Sequence, residues 1–382
     1  MDDTNSSYLH FHTIFFAFLL LGSKVDGYEY DRISRRPNAH AALFSKLFVF
    51  GDSYADTGNL GNLGRDLTRS WYYPYGSTFP KRPTGRFSDG RLLTDFVASF
   101  LGIRSPIPYK YRKVGYKILP YGMNFAVGGA GIFDTGNFQR NVSSQIDAFV
   151  GLINEGIFSR FDLKSSVALV VVSGNDYSYV TEKSNSTKAA AKYIPVVVGQ
   201  IKVDLKRLHD LGVPKVMVTN MHPLGCTPYF ARELNYTDCN AMANIGSWNH
   251  NSALVSMMKV LDPSNKTFLS LNINDPFQSI VHQGAHLYVF VYQLIILFLN
   301  FYHFFLSAVS GAKKFKSPKR PCCESFSKDG HCGQMDENGN TKYTLCSNPE
   351  EHFYWDDVHI TQAGWAAVFE TLKGPITQFL SL

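Results

Sequence analysis

The chain reads as an α/β protein built on a mostly parallel sheet covered by helices on both faces. Two observations predict this. Short, continuous apolar runs, the pattern of strands buried on both faces, recur along the chain with helical patterns between them. The apolar runs also end in polar turns of Gly, Asn and Asp, as strands feeding right-handed crossovers do.

In order, the first strand is Leu47–Phe50, closed by Gly51 and Asp52. The second is Val167–Val172, ending in Ser173-Gly174-Asn175-Asp176. Lys215–Thr219 is the third, before a turn with Pro223 and Gly225, and Thr267–Ile273 the fourth, ending at Asn274-Asp275-Pro276. Helices are expected over Leu92–Leu101, Ser143–Ile153, Lys188–Leu211 and roughly Asp238–Leu261. A last helix covers Thr361–Phe379 with Thr361 as its N-cap. Residues 59–124 are rich in Gly, Pro, Tyr and Arg and read as a long loop region over the strand ends, where loops shape access to a site or simply cover it. No internal repeat is present.

Composition narrows the class. Of 382 residues, 45% are hydrophobic and 18% charged, enough apolar material for a sizeable core and too much for global disorder. The net charge of +6 is mild, and its one short basic run, Lys313–Arg320, reads as a solvated loop, so no nucleic-acid partner is expected. The run Phe11–Gly22 is too short to span a bilayer comfortably and is followed by small residues at Gly22, Ser23 and Gly27. Residues 1–27 are therefore expected to be a signal peptide, although Asp2 and Asp3 stand where basic residues are usual; a short uncleaved anchor is the alternative. Residues 28–46 are expected to form an N-terminal extension and 47–382 one domain, with an atypical apolar insertion at about 287–310.

Six cysteines, Cys226, Cys239, Cys322, Cys323, Cys332 and Cys346, lack zinc-finger spacing and suit disulfides better than metal. Cys226 and Cys239 are expected to pair locally, and the other four to pair in an order the sequence leaves open. Glycosylation sequons at Asn141, Asn185, Asn235 and Asn265 agree with a secreted, extracellular protein.

Ester hydrolysis needs an activated hydroxyl, a base, a carboxylate to orient the base, and donors for the oxyanion. Ser53 follows an apolar strand directly, which projects it from the strand end, and Gly51 permits the tight turn; a helix-capping serine is the bland alternative. Asp356 and His359 lie three residues apart, close enough to fold onto each other within one turn, with Asp357 as the other candidate carboxylate. Asn175 offers an amide at another strand end, and Asn124–Gly131 offers backbone N–H groups free of obstructing side chains. No phosphate-loop or dinucleotide fingerprint accompanies these glycines.

Phe50-Gly51-Asp52-Ser53, Asn124–Gly131, Gly174-Asn175-Asp176 and Asp356-x-x-His359 occur in the order found in the GDSL esterase/lipase family of the SGNH hydrolases. Asp56-Thr57-Gly58-Asn59 and Gly85–Arg91 resemble its plant branch. The resemblance implies a three-layer αβα sandwich of flavodoxin-like type with a five-stranded, mostly parallel sheet. It implies Ser53 as nucleophile and oxyanion donor, His359 as base and Asp356 as its orienting carboxylate. Gly129 takes the backbone donor position, with Gly128 as fallback, and Asn175 the side-chain donor. No cofactor or metal is implied. Tyr54 stands where the family name has Leu, and Ile360 where Pro is usual.

The expected activity is carboxylic-ester hydrolysis through an acyl-serine, on acyl lipids, acetylated polysaccharide or small metabolite esters. An acyltransferase on the same machinery and a non-catalytic glycan-binding protein are the alternatives. Leu287–Val309 has no charged residue and is long enough to span a bilayer. A single span would put Ser53 and His359 on opposite sides of the membrane. The preferred reading is an insertion at about 287–310, with a packed hairpin or a membrane contact as alternatives.

Overall fold

The computed structural model describes residues 43–113, 119–136, 140–282 and 315–381. The expected signal peptide, most of the N-terminal extension and the apolar segment 287–310 lie outside the described residues. All described residues belong to one compact unit, Pro37–Leu382.

The chain order is β1 (Lys46–Gly51), α1 (Leu93–Phe100), β2 (Ile107–Pro108), β3 (Gly122–Asn124), α2 (Val142–Asn154), α3 (Arg160–Lys164) and β4 (Ser166–Val171). There follow α4 (Asn175–Ser184), α5 (Thr187–Asp210), β5 (Lys215–Thr219), α6 (Ala241–Leu261), β6 (Phe268–Leu271) and α7 (Asn274–Val281). A β7 (Cys323–Ser325) and β8 (Tyr343–Leu345) hairpin precedes the last helix, α8 (Gln362–Leu380).

The main sheet runs β2-β3-β1-β4-β5-β6, with every pairing parallel. Five strands match the expected sheet, and the two-residue β2 adds a short edge beyond it. Strand side chains alternate between faces. Leu47, Val49, Leu169, Val171 and Met217 pack on one side with residues of α1, α7 and α8. Phe48, Phe50, Ala168, Val170 and Val218 pack on the other with α2, α5 and α6. The chain is thus a three-layer α/β sandwich, and its doubly buried strands explain the unbroken apolar runs.

Helix starts follow local chemistry. Asn141 Oδ1 accepts from Ser144 N at 2.8 Å to cap α2, and Thr361 Oγ1 accepts from Gly364 N at 2.9 Å to cap α8. A third cluster, holding Tyr75, Phe87, Tyr343 and Trp355, lies beneath the loop cover. Disulfides Cys322–Cys346 and Cys323–Cys332 are part of it, and Cys226–Cys239 closes a local loop. Among the described residues, no helix is long and apolar enough to cross a membrane.

Candidate active site

The carboxyl end of β1 carries Ser53. Gly51 has φ +131°, and a Cβ there would lie 2.0 Å from Val171 O, so the adjacent strand β4 admits only glycine. Gln145 on α2 brackets this bend: its Oε1 accepts from Gly51 N at 2.7 Å and its Nε2 donates to Gly51 O at 2.8 Å. Asp52 then ties two strand ends together, accepting from Tyr54 N at 3.0 Å and from Ser173 N at 2.6 Å. Burial pushes the Asp52 carboxyl up to about 6, against the opposing effect of these donors.

The second half of the site is a tight turn before α8. Trp355 N donates to His359 O at 2.7 Å, and Tyr354 bridges Ile360. Inside the turn, Asp356 Oδ1 accepts from Val358 N at 3.0 Å and His359 N at 2.8 Å. His359 Nδ1 lies 2.8 and 2.9 Å from the two Asp356 oxygens, and its Nε2 lies 2.8 Å from Ser53 Oγ. Facing a carboxylate, Nδ1 carries the proton, which leaves Nε2 free to accept from the serine hydroxyl. Burial alone would raise the Asp356 carboxyl. The charge and hydrogen bond of His359, the Arg69 guanidinium and the Val358 N–H reverse this and hold it well below the usual carboxylate range.

Asp356, not Asp357, reaches the imidazole. Burial, with Asp356 beside it, pushes the Asp357 carboxyl up to about 7. The turn is also held from outside: Tyr54 O–H donates to Val358 O at 2.6 Å, and the Phe87 ring stacks on His359 at 4.8 Å between centroids. Tyr54, the departure from the family name, thereby joins the two halves of the site.

Asn175 opens α4 after Gly174, whose φ is +109°. Its Nδ2 donates one hydrogen to Ala130 O at 2.8 Å, leaving the other to point elsewhere. Gly128 N–H is engaged by Asp56 Oδ2 at 2.8 Å. The N–H groups of Ser53 and Gly129 have no protein acceptor among the described residues. The loop bearing Gly129 is secured further on, where Asp176 accepts from Ile132 N at 2.9 Å and Phe133 N at 2.8 Å. The arrangement sets a base against a serine hydroxyl, with the N–H groups of Ser53 and Gly129 uncommitted beside it among the described residues.

Several contributors escaped the sequence reading. Asp52, Asp56 and Asp176 sit inside the quoted motifs but anchor backbone rather than react. Gln145 reads as an ordinary helix residue. Tyr75, whose O–H donates to Asp356 Oδ2 at 2.7 Å, was hidden in the Tyr-rich loop. Of the sequon asparagines, Asn185, Asn235 and Asn265 are exposed, while Asn141 is half-buried and caps a helix. The Sγ atoms of Cys226 and Cys239 lie 3.9 and 3.7 Å from His282 Nε2, but their disulfide leaves no thiolate to bind metal.

A family model described as GDSL-like lipase/acylhydrolase matches residues 47–372. A GDSL esterase/lipase of Arabidopsis thaliana is 39% identical over 374 residues, covering 96% of each chain. A second from the same plant is 38% identical over 363 residues, covering 94% of each. Acetylajmalan esterase 1 of Rauvolfia serpentina is 28% identical over 349 residues, covering 86% of this chain and 85% of that one.

Proposed function

The chain belongs to the GDSL esterase/lipase family and is a carboxylic-ester hydrolase, and from that premise we propose that it works through an acyl-serine on Ser53. The observation that carries this reading is the unbroken hydrogen-bonded chain Ser53–His359–Asp356. His359 Nε2 takes the hydroxyl proton as Ser53 Oγ attacks the ester carbonyl. The tetrahedral oxyanion is met by the N–H groups of Ser53 and Gly129 and by Asn175 Nδ2. His359 then returns the proton to the leaving alkoxide, and the acyl group stays on Ser53. Water, deprotonated by the same imidazole, attacks the acyl-serine and releases the acid. An alcohol in place of water would make the reaction acyl transfer.

Substrates proposed for this site are acyl lipids, acetylated polysaccharide and small metabolite esters. The name of one relative, an acetylajmalan esterase, puts small acetyl esters first among those to test. Secretion to the cell wall or apoplast is supported by residues 1–27 read as a signal peptide, three disulfides and three exposed sequon asparagines. The segment at about 287–310 is proposed as an insertion outside the catalytic machinery.

A fluorophosphonate probe tests the mechanism directly. It should label wild-type protein on Ser53, found by peptide mapping, and leave Ser53→Ala unlabelled. Labelling elsewhere, or none in protein that cleaves p-nitrophenyl acetate, would defeat the acyl-serine reading.

A further inference from the structure

Asp356 is almost fully buried, and its oxygens have two kinds of donor. One kind is local: the N–H groups of Val358 and His359 belong to the same turn. The other comes from far away in sequence. Tyr75 O–H donates to Asp356 Oδ2 at 2.7 Å, and the Arg69 guanidinium lies close enough for its charge to act on both. Tyr75 has no exposed surface, and its ring meets Phe87 and Trp355 edge-on at 6.2 and 5.9 Å. Packing leaves its hydroxyl little freedom to aim elsewhere.

We propose that Tyr75, with Arg69 behind it, is a positioning pair for Asp356 that sets the pH at which His359 becomes the free base. The inference rests on the acyl-serine reading for its catalytic meaning, though not for its measurement. A hydrogen bond donated to a carboxylate draws charge from the oxygen that stabilises imidazolium. The Arg69 cation acts in the same direction. Both therefore keep His359 less basic than an Asp–His pair alone would be, and keep it neutral to lower pH.

Other groups face the pair from each packed element. Asp52 and His222 feel the charge of His359, and Tyr54 and His331 that of Asp356. Burial holds His222 down to about 3, so it stays neutral throughout the range that matters. Asp357 faces Arg69, Arg232 and Glu324 and titrates near 7, inside the same window. The measurement is therefore repeated in Asp357→Asn protein.

The experiment follows His359 by NMR titration of histidine-labelled protein, assigned by His359→Gln, beside the pH profile of kcat/KM on p-nitrophenyl acetate. Tyr75→Phe keeps the ring and loses the donor. Its His359 titration and the acid limb of its profile should both move up by about one pH unit, lowering activity below the limb by about tenfold. Arg69→Gln should move them the same way, because its charge acts on Asp356. Unchanged titrations in folded variants, even with lower Tm, would reduce the pair to packing. If Tyr75→Phe fails to fold, Arg69→Gln alone decides the direction. A shift seen by NMR in protein without esterase activity would keep the pair and sink the acyl-serine reading, so the two failures are distinguishable.

Discussion

The two halves of the site are held by opposite electrostatics. Around Ser53, three buried carboxylates bend the backbone: Asp52 grips Ser173, Asp56 grips Gly128 and Asp176 grips the turn at Ile132. None of the three is ion-paired among the described residues, and burial raises all three carboxyls. Around His359, Asp356 has a histidine and a guanidinium for company and is lowered. A carboxylate can thus serve as scaffold with backbone N–H donors alone. To orient an imidazole it must stay ionised, and that requires positive charge nearby.

The largest expected effect tests the meeting point of the two halves. Ser53→Ala should lower esterase kcat by roughly four to six orders of magnitude, leaving what oxyanion donors and binding supply. The fold should survive, because both clamps of Asp52 use groups other than the serine side chain. Near-normal turnover in Ser53→Ala protein free of wild-type carry-over would remove Ser53 from the chemistry.

Asn175 belongs to the scaffold side yet is proposed to meet charge that exists only in the transition state. Asn175→Ala should cost about 10²–10³ in kcat with little change in KM. Its bond to Ala130 O is also lost, so a circular dichroism melt must accompany the kinetics. An effect confined to KM would make Asn175 a substrate-binding residue.

How much of this was legible in the sequence follows from the same division. The strands β1, β4 and β5 announce themselves because they are buried throughout and their centres carry no polar residue, whereas β6, FLSL, is half-buried and carries Ser270. The edge strands β2 and β3 have two and three residues, too few for any period to register. Helix α4, NDYSYVTEKS, is largely polar and buries only Asp176 and Tyr177, so it lacks the apolar stripe that marks a helix. In the site, Ser53, Asn175, Asp356 and His359 stand at strand ends or in a short turn, where local spacing is informative. Tyr75 reaches Asp356 across 281 positions of chain, and no local pattern records such a contact. Asp52 was quoted as part of a motif, but its bond to Ser173 spans 121 positions and depends on β1 lying beside β4.

The smallest effect concerns stability, and it separates the two halves by pH. Burial pushes the Asp52 carboxyl up to about 6 in the folded chain, against 3.8 for a free aspartate. Between these values the folded state binds more protons than the unfolded one, so stability from Asp52 is present at acid pH and lost as pH rises through about 4 to 6. At about 1.4 kcal/mol per pKa unit, the contribution is on the order of 2–3 kcal/mol. Asp356 has the opposite sign. Its folded value is depressed, so its contribution is present above the unfolded value and lost only below it, as pH falls. Asp52 therefore adds stability as pH falls towards about 4 and Asp356 removes it below that, while buried His222 and His250, held down to about 3 and about 4, oppose the Asp52 gain at every pH below about 6.5. Asp52→Asn should remove this acid-side gain, so that stability between pH 4 and 6 in urea melts falls more with acid than in the wild type, whatever the change in absolute stability. The acid-side gains of other carboxyls remain, since Asp56, Asp176 and Asp357 are raised as well. A slope unchanged by Asp52→Asn would mean that Asp52 stays ionised through this range, and that the scaffold side tolerates buried charge as well as the base side does.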